Sequence, residues 1–434
     1  MAAAVTLTQR GHAVTVYEAA RHWGGRARAL TIKDLQGRPL QVDNGQHILI
    51  GAYSSCLQLM QTVGVNPDSA LLRLPLDLRN AQGMGLQLPN LPPPWDAVLG
   101  IANAKGWRFQ EKAALLARAA AWKRQHFQCR AGTTVGDLCH GLPQRLMADF
   151  IDPLCISALN LPADQACGQI FLRVLHDSLF AGKGGSNLLI PTIDLGSAFP
   201  AAAAAWLEQQ GAHMHLGARV QSLTASAHGA PAGWLVDGEH FDHVVLATSS
   251  AEAARLAASA AQQLQNEASN QSEQWASTAQ ALPHTAIATV YAQLPDADNC
   301  TGAVLPAPMV ALQTGPRAPV QFAFDRGQLH GTPGLLALVI SASDALPADE
   351  HAQLQQLAVA QAAEQLHLPG LQPLKTVEDK RATFACTPQV PRPTSTIAPR
   401  LWACGDYVQG PYPATLEGAV RSGLEVANCI APSS

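Results

Sequence analysis

Two separated stretches combine residue types that bind charged groups. Ala13-Val14-Thr15-Val16-Tyr17 is a short apolar run closing on Glu18, and Gly24-Gly25-Arg26 follows. An acid at the carboxyl end of a buried strand can accept both hydroxyls of a ribose. Glycines let backbone N–H groups approach a phosphate, and an arginine neutralises it. The plain alternative is a solvated acid and a basic turn at Arg26 and Arg28. The offset of these residues from a helix–strand pair favours binding. Gly405-Asp406 is the second stretch, after Leu401-Trp402-Ala403-Cys404. Its acid can take a ribose or polyol hydroxyl, and the helix that follows can turn its first amides, at Leu416 and Glu417, toward an anion. His213-Met214-His215 puts two imidazoles on one strand face, but no third ligand is evident, so a metal is not expected.

The elements around these residues follow from periodicity and turn chemistry. Residues 2–10 read as a helix ended by Gly11, and 13–17 as a buried strand: the second half of a βαβ unit. A helix is expected at about 52–63, short strands and turns over 71–94, and helices near 95–103, 108–127 and 143–150. Residues 197–209 read as one helix stopped by Gly211. Strands are expected at 213–216, 219–224, 233–236 and 243–247, where Val244-Val245-Leu246 is a buried parallel type. A helical stretch covers 251–280, with strands near 285–293, 308–313, 319–325 and 335–341. A long helix over 347–366, strands at 374–382 and 400–404, and a helix over 415–430 complete the chain. This predicts an α/β fold: a Rossmann-like nucleotide-binding domain with an interleaved substrate domain of mixed sheet and helices. The expected segments are 1–60, 190–250 and 384–434 for the first domain, and 61–189 and 251–383 for the second.

Composition narrows the partners. Of 434 residues, 47% are hydrophobic and only 14% charged, so some apolar surface is expected to be in use, by a membrane face or a greasy substrate. A net charge of −4 argues against nucleic acid, which needs a basic stripe. No run is long and apolar enough to span a bilayer, and the N-terminus does not read as a secretion signal. Nine scattered cysteines form no C-x-x-C pair, which suits reduced thiols. A cytoplasmic location is expected, with peripheral contact at the inner face of the cytoplasmic membrane. Leu91-Pro92-Pro93-Pro94-Trp95 and the apolar helix after it are the candidate contact, over 91–103. An ordinary packed helix is the equal alternative.

Ala13 to Arg28, the segment Asp43–Tyr53, and Trp402 to Gly423 with its Tyr412-Pro413-Ala414-Thr415-Leu416-Glu417-Gly418-Ala419 close together resemble the flavin amine oxidase and phytoene desaturase superfamily. Asp43-Asn44-Gly45-Gln46-His47 looks, more narrowly, like the signature of the hydroxysqualene dehydroxylases, the squalene-associated FAD-dependent desaturases of hopanoid synthesis. The resemblance implies FAD as cofactor. Glu18 would hold the adenosine ribose, and Gly24, Gly25 and Arg26 the pyrophosphate. Val220 would turn its backbone to the adenine, Gly405 and Asp406 would hold the ribityl–phosphate region, and Leu416 and Glu417 would lie near the isoalloxazine. The family's first strand and G-x-G-x-x-G turn have no counterpart. Met1-Ala2-Ala3-Ala4 aligns just after the third glycine, as if the start had been assigned too late. On that expectation the chain as written folds poorly and binds FAD weakly.

The resemblance also implies a reaction: hydroxysqualene loses its hydroxyl and gains a hydride. The substrate would be a long apolar isoprenoid in a greasy sleeve, and other squalene-pathway enzymes would be neighbours. Asp43 and His47 are the candidate acids, with His47 better suited near neutral pH; a structural histidine is an equal reading. The alternatives are a phytoene or carotenoid-type desaturase, an amine oxidase, or a cofactor-free remnant acting as a scaffold.

Overall fold

The computed structural model describes residues 1–180, 182–226, 232–262, 264, 266–296 and 303–432. Two parallel ribbons carry the two charged stretches. Strand Thr15–Glu18 runs parallel to His213–Leu216, in register from Thr15↔His213 to Glu18↔Leu216. Strand Val244–Leu246 runs parallel to Leu401–Ala403, which Thr396–Ala398 flanks on the other side in antiparallel sense. Thr15–Glu18 and Val244–Leu246 supply the β-branched residues that fit a pleated surface. Helices Ala2–Gln9 and Leu416–Cys429 lie against each other beside them. Gly423 permits the approach: a Cβ there would stand 3.0 Å from both Ala2 Cβ and Ala3 N. Ala2, Ala3, Ala4 and Val5 are buried accordingly.

A five-stranded antiparallel sheet forms the second body. Its order is Met309–Ala311, Phe322–Asp325, Leu335–Ser341, His284–Gln293, Gln372–Phe384. Side chains alternate between its faces, as the pleat requires. Tyr291, Phe322, Phe324 and Ala337 join the main core with the helices of 109–180. Ala288, Val290, Leu336, Leu338 and Ile340 face the other way, under helix Leu354–Gln365. Asn160, the left-handed cap of helix Asp152–Leu159, ties those helices to the sheet. It donates to Thr285 Oγ1 at 2.7 Å and Thr383 Oγ1 at 3.1 Å, and accepts from Ala342 N at 2.7 Å.

Several expected elements divide. Residues 197–209 form Leu195–Ala198 and Pro200–Gln209, because Pro200 can open a helix but cannot continue one. Residues 347–366 break at Gln353 into Ala348–Ala352 and Leu354–Gln365. Residues 251–280 give Ser250–Ala261 and Asn266–Gln280. Of the expected strand 219–224, only Leu223–Ala225 forms. The helix expected at 143–150 instead passes through a π-turn, Met147–Ile151, into Asp152–Leu159. The hairpin Ala29–Lys33 with Pro39–Asp43 was not legible, and it is what delivers Asp43. Eight cysteines are free; Cys300 lies outside the described residues. Among the described residues, no helix is long and apolar enough to cross a membrane.

Candidate functional site

The loops that leave the two parallel ribbons meet at Arg26 and Asp406. Glu18 closes its strand, where Oε1 accepts from Ala20 N at 2.7 Å and its carbonyl accepts from Ala218 N at 2.9 Å. The first contact shapes the turn into Gly24-Gly25-Arg26 and leaves Oε2 for another donor. Gly24 sits at φ +105°, and a Cβ there would lie 2.2 Å from Ala27 O. Gly25 follows at φ +58°, with open space where a side chain would go. Both glycines sit at positive φ, so the loop turns tightly here without side chains, and a phosphate can approach its backbone. Arg26 then reaches across to the second loop. Its Nη2 donates to Asp406 Oδ2 at 2.6 Å and its Nη1 to Ala382 O. Asp406 is 11% exposed at its side chain, against 45% for Arg26. The two stretches therefore meet, although they lie 380 residues apart.

The second stretch is held by groups the sequence reading missed. Arg392 donates to the carbonyls of Asp406 at 2.9 Å, Tyr407 at 3.2 Å, Gly410 at 2.8 Å and Tyr412 at 3.0 Å. It fixes the loop between the last strand and the last helix. Only Pro391 and Pro393 around it marked a built loop. Gly405 N donates to Ser422 Oγ at 2.7 Å, and a Cβ on Gly405 would lie 2.8 Å from the Tyr407 ring. Thr415 caps the last helix, accepting from Gly418 N at 3.1 Å. The amides of Leu416 and Glu417 are first-turn donors with no intrahelical acceptor.

Glu417 needs a correction. Its fully buried carboxylate accepts from Cys56 N at 2.9 Å, Ser55 N at 3.2 Å and Arg421 Nε at 2.6 Å. It anchors the N-terminus of helix Ser54–Thr62, so only its backbone is left for a ligand. At Val220 the carbonyl accepts from Arg255 Nη2 at 2.6 Å, which likewise leaves the amide.

The Asp43–His47 segment runs over the five-stranded sheet. Asp43 is 3% exposed at its side chain; Oδ1 accepts from Leu195 N at 3.0 Å and Oδ2 from Arg326 Nη1 at 3.3 Å. Tyr291 donates its hydroxyl to the Asp43 carbonyl at 2.8 Å. Arg326, 2% exposed, also donates to Gln46 Oε1 at 3.1 Å. Asp43 is thus the partner of a buried cation, not a free acid. His47 accepts the same fate for another reason. Burial holds its pKa below the usual histidine value, against the pull of Asp43 and of the Gly45 carbonyl. Nδ1 lies 2.8 Å from Gly45 O, which makes it the N–H and leaves Nε2 as an acceptor. A neutral ring of this tautomer commits its one N–H to Gly45 O. Nearby, Thr289 Oγ1 and Arg326 Nε are buried with no partner in the chain. His330 is pushed down to about 4, by burial and by the Arg326 charge.

These features fit a flavin dinucleotide. Gly24 and Gly25 make a cradle that a side chain at Gly24 would fill, and Thr289 Oγ1 and Arg326 Nε are buried polar atoms without a partner beside the Asp43–His47 segment. A family model described as "Flavin containing amine oxidoreductase" matches residues 1–431. The chain belongs to that family. It is an oxidoreductase of a flavin-containing type. It is 26% identical to the hydroxysqualene dehydroxylase of Zymomonas mobilis over 446 residues, covering 99% of this chain and 95% of that one. The hydroxysqualene dehydroxylase of Rhodopseudomonas palustris is also 26% identical, with the same coverage. Among solved structures, an oxidoreductase from Methanosarcina mazei superposes with a TM-score of 0.68 at 15% identity, covering 98% of this chain and 97% of that one. Putrescine oxidase bound to putrescine gives 0.63 at 14% identity, covering 99% and 95%. These likenesses are of fold. The His213-Met214-His215 strand lies beside the strand of Glu18. Tyr17 stacks on His215 at 5.1 Å, and no metal-binding cluster occurs among the described residues. Burial pushes the Cys404 thiol up to about 11, against the nearby N-terminal amine.

Proposed function

We propose that this chain is an FAD-dependent oxidoreductase that converts hydroxysqualene to squalene. The full-length likeness to three hydroxysqualene dehydroxylases, at 24–26% identity, carries the reading. A C–O bond breaks and a C–H bond forms: the hydroxyl takes a proton and leaves as water, and the carbon takes a hydride. Reduced FAD would supply that hydride. Glu18 binds the adenosine ribose through its uncommitted oxygen. Gly24, Gly25 and Arg26 hold the pyrophosphate, and the Val220 amide meets the adenine. Gly405 and Asp406 hold the ribityl–phosphate region. The amides of Leu416 and Glu417 face the isoalloxazine edge at a helix N-terminus, where negative charge is favoured.

The leaving group is allylic, so its developing charge spreads over an alkene and asks little of a fixed anion. Asp43, Arg326 and Gln46 position the loop that carries His47. The acceptor Nε2 of neutral His47 orients the hydroxyl, and a proton from solvent water completes the leaving group as water. Residues 1–60, 190–250 and 384–434 form the nucleotide-binding part; 61–189 and 251–383 enclose a long apolar isoprenoid. The test is product analysis. Protein supplied with FAD and dithionite under anaerobic conditions should turn hydroxysqualene into squalene, read by mass spectrometry. Desaturation of phytoene in place of squalene formation would overturn the reading in favour of a desaturase.

A further inference from the structure

We infer that the surface built from residues 84–112 docks on an anionic lipid bilayer. The inference rests on the isoprenoid reading only for why a bilayer matters; the surface itself carries the docking. Six large apolar side chains are exposed among the described residues, and four fall in this stretch: Met84 at 45%, Trp95 at 61%, Leu99 at 40% and Phe109 at 85%. Scattered single exposures are normal, but a cluster of this kind marks a contact surface.

They are neighbours in space. Trp95 and Leu99 stand one turn apart on helix Trp95–Asn103, whose other side is turned inward. On that inner side, Asp96 is buried, and a Cβ on Gly100 would lie 2.5 Å from Leu88 Cδ2. Lys112 ties the next helix, Phe109–Arg124, to the first by donating to Ala102 O at 2.7 Å. Phe109 lies one turn before Lys112, on the same face. Met84 closes the patch, since its Cε is 2.6 Å from where a Cβ on Gly106 would stand.

Charge selects the occupant. The chain carries a net −4, yet Lys105, Arg108 and Lys112 border this patch. Arg145 joins them, its Nη1 donating to Gly106 O at 2.8 Å. The stretch has two carboxylates. Asp96 is buried, and Glu111 is bonded to Arg108 N at 2.6 Å. Exposed Trp, Phe and Leu with a cationic rim is the composition of a helix lying in the headgroup plane of a negatively charged leaflet.

Flotation of the full chain with vesicles tests this, using phosphatidylcholine alone and phosphatidylcholine mixed with phosphatidylglycerol. The parent should float with the mixed vesicles. Lys105→Ser with Arg108→Ser should lower that binding by roughly 25-fold, about fivefold per cation. Trp95→Asp with Phe109→Asp should lower it by about tenfold or more, with an unchanged thermal melt because these side chains are exposed. Failure of the parent to bind, or equal binding by parent and Trp95→Asp/Phe109→Asp, overturns the inference. So does a parent that self-associates through this patch, dissolved by the same variant, without floating. Flotation needs neither flavin nor turnover, so its failure leaves the dehydroxylase reading standing, and the reverse holds.

Discussion

Asp43 and Arg326 offer a direct test of whether the signature acid does chemistry or holds shape. The two side chains are 3% and 2% exposed, and their charges approach to 3.3 Å. At an effective dielectric of about 20, that separation corresponds to about 5 kcal/mol of attraction. Removing one member of a buried pair typically costs about 3–5 kcal/mol, because the other charge is left unpaired. Asp43→Asn keeps the acceptor for Leu195 N and strands the guanidinium. Arg326→Met removes the cation and strands the carboxylate. Each should cost about 4 kcal/mol. The unfolding entropy of a chain of 434 residues is about 0.9 kcal/mol/K, so each single variant should melt about 4 °C lower if the chain unfolds cooperatively. The double variant buries no lone charge and should lose far less than the sum, about 2 kcal/mol. Calorimetry of the four proteins closes the cycle, and squalene formation is measured beside it. If Asp43 only positions the loop, the double variant regains turnover along with stability. Additive melting losses would refute the pairing. A stable double variant still down by about 10²-fold in turnover would return Asp43 to the role of acid.

The remaining predictions use the same chemistry. Gly24→Ala would place a methyl against Ala27 O, so flavin content should fall at least tenfold. Gly25→Ala meets open space and should cost only about 1–2 kcal/mol with flavin retained; equal losses from the two, read by absorbance of the purified proteins, would sink the cradle. His330 has a folded pKa of about 4, below its unfolded value near 6.5, so the unfolded chain binds more protons between those limits. Its contribution is complete above about pH 6.5 and fades as pH falls toward 4. His330→Phe should flatten the stability profile in that window, and an unchanged slope in denaturant titrations counts against it. His47→Gln should keep turnover within about tenfold, because the ring is a neutral acceptor; a loss of about 10²-fold would make it the proton donor after all. Glu417→Ala strips the cap from helix Ser54–Thr62 and leaves Arg421 without its partner, for a melting loss of several degrees.

What the sequence disclosed and what it hid divide along chain separation. The parallel strands were readable because Val244-Val245-Leu246 and Thr15-Val16-Tyr17 are short apolar runs bounded by turn residues, a local signal. The helix break at Pro200 was also local, and Ala-rich flanks masked it. Two strands of the five-stranded sheet were legible as short, largely apolar runs at 285–293 and 335–341, buried on both faces. By contrast, Asp43 and Arg326 are 283 residues apart, and nothing in either neighbourhood names the other. Glu417 misled for a related reason. Its place at the start of the last helix, beside Leu416, is what singles it out, and nothing near it in the chain shows where its carboxylate goes. The structure spends it on a different helix, 361 residues earlier.

The ion pair between Arg26 and Asp406 shows how such distant groups become one site. Neither residue is needed to fold its own strand, since each lies beyond the last paired residue. Their meeting instead depends on Gly24 and Gly25 turning the first loop toward Asp406, and on Arg392 gathering the carbonyls of the second. Arg26 is the more exposed partner and Asp406 the buried one, so a dinucleotide phosphate would meet the arginine first, in competition with Asp406 and Ala382. Arg26→Lys keeps the charge but loses the fork that reaches Asp406 and Ala382 at once. It should weaken flavin retention more than it weakens the fold. Arg392→Lys should do both, because the carbonyls of Asp406, Tyr407, Val408, Gly410 and Tyr412 all share one guanidinium that a single ammonium cannot replace. A calorimetric melt and a flavin titration on the two variants separate the roles. Equal melting losses would mean that Arg26 is as structural as Arg392, and the argument for a phosphate-binding arginine would fail.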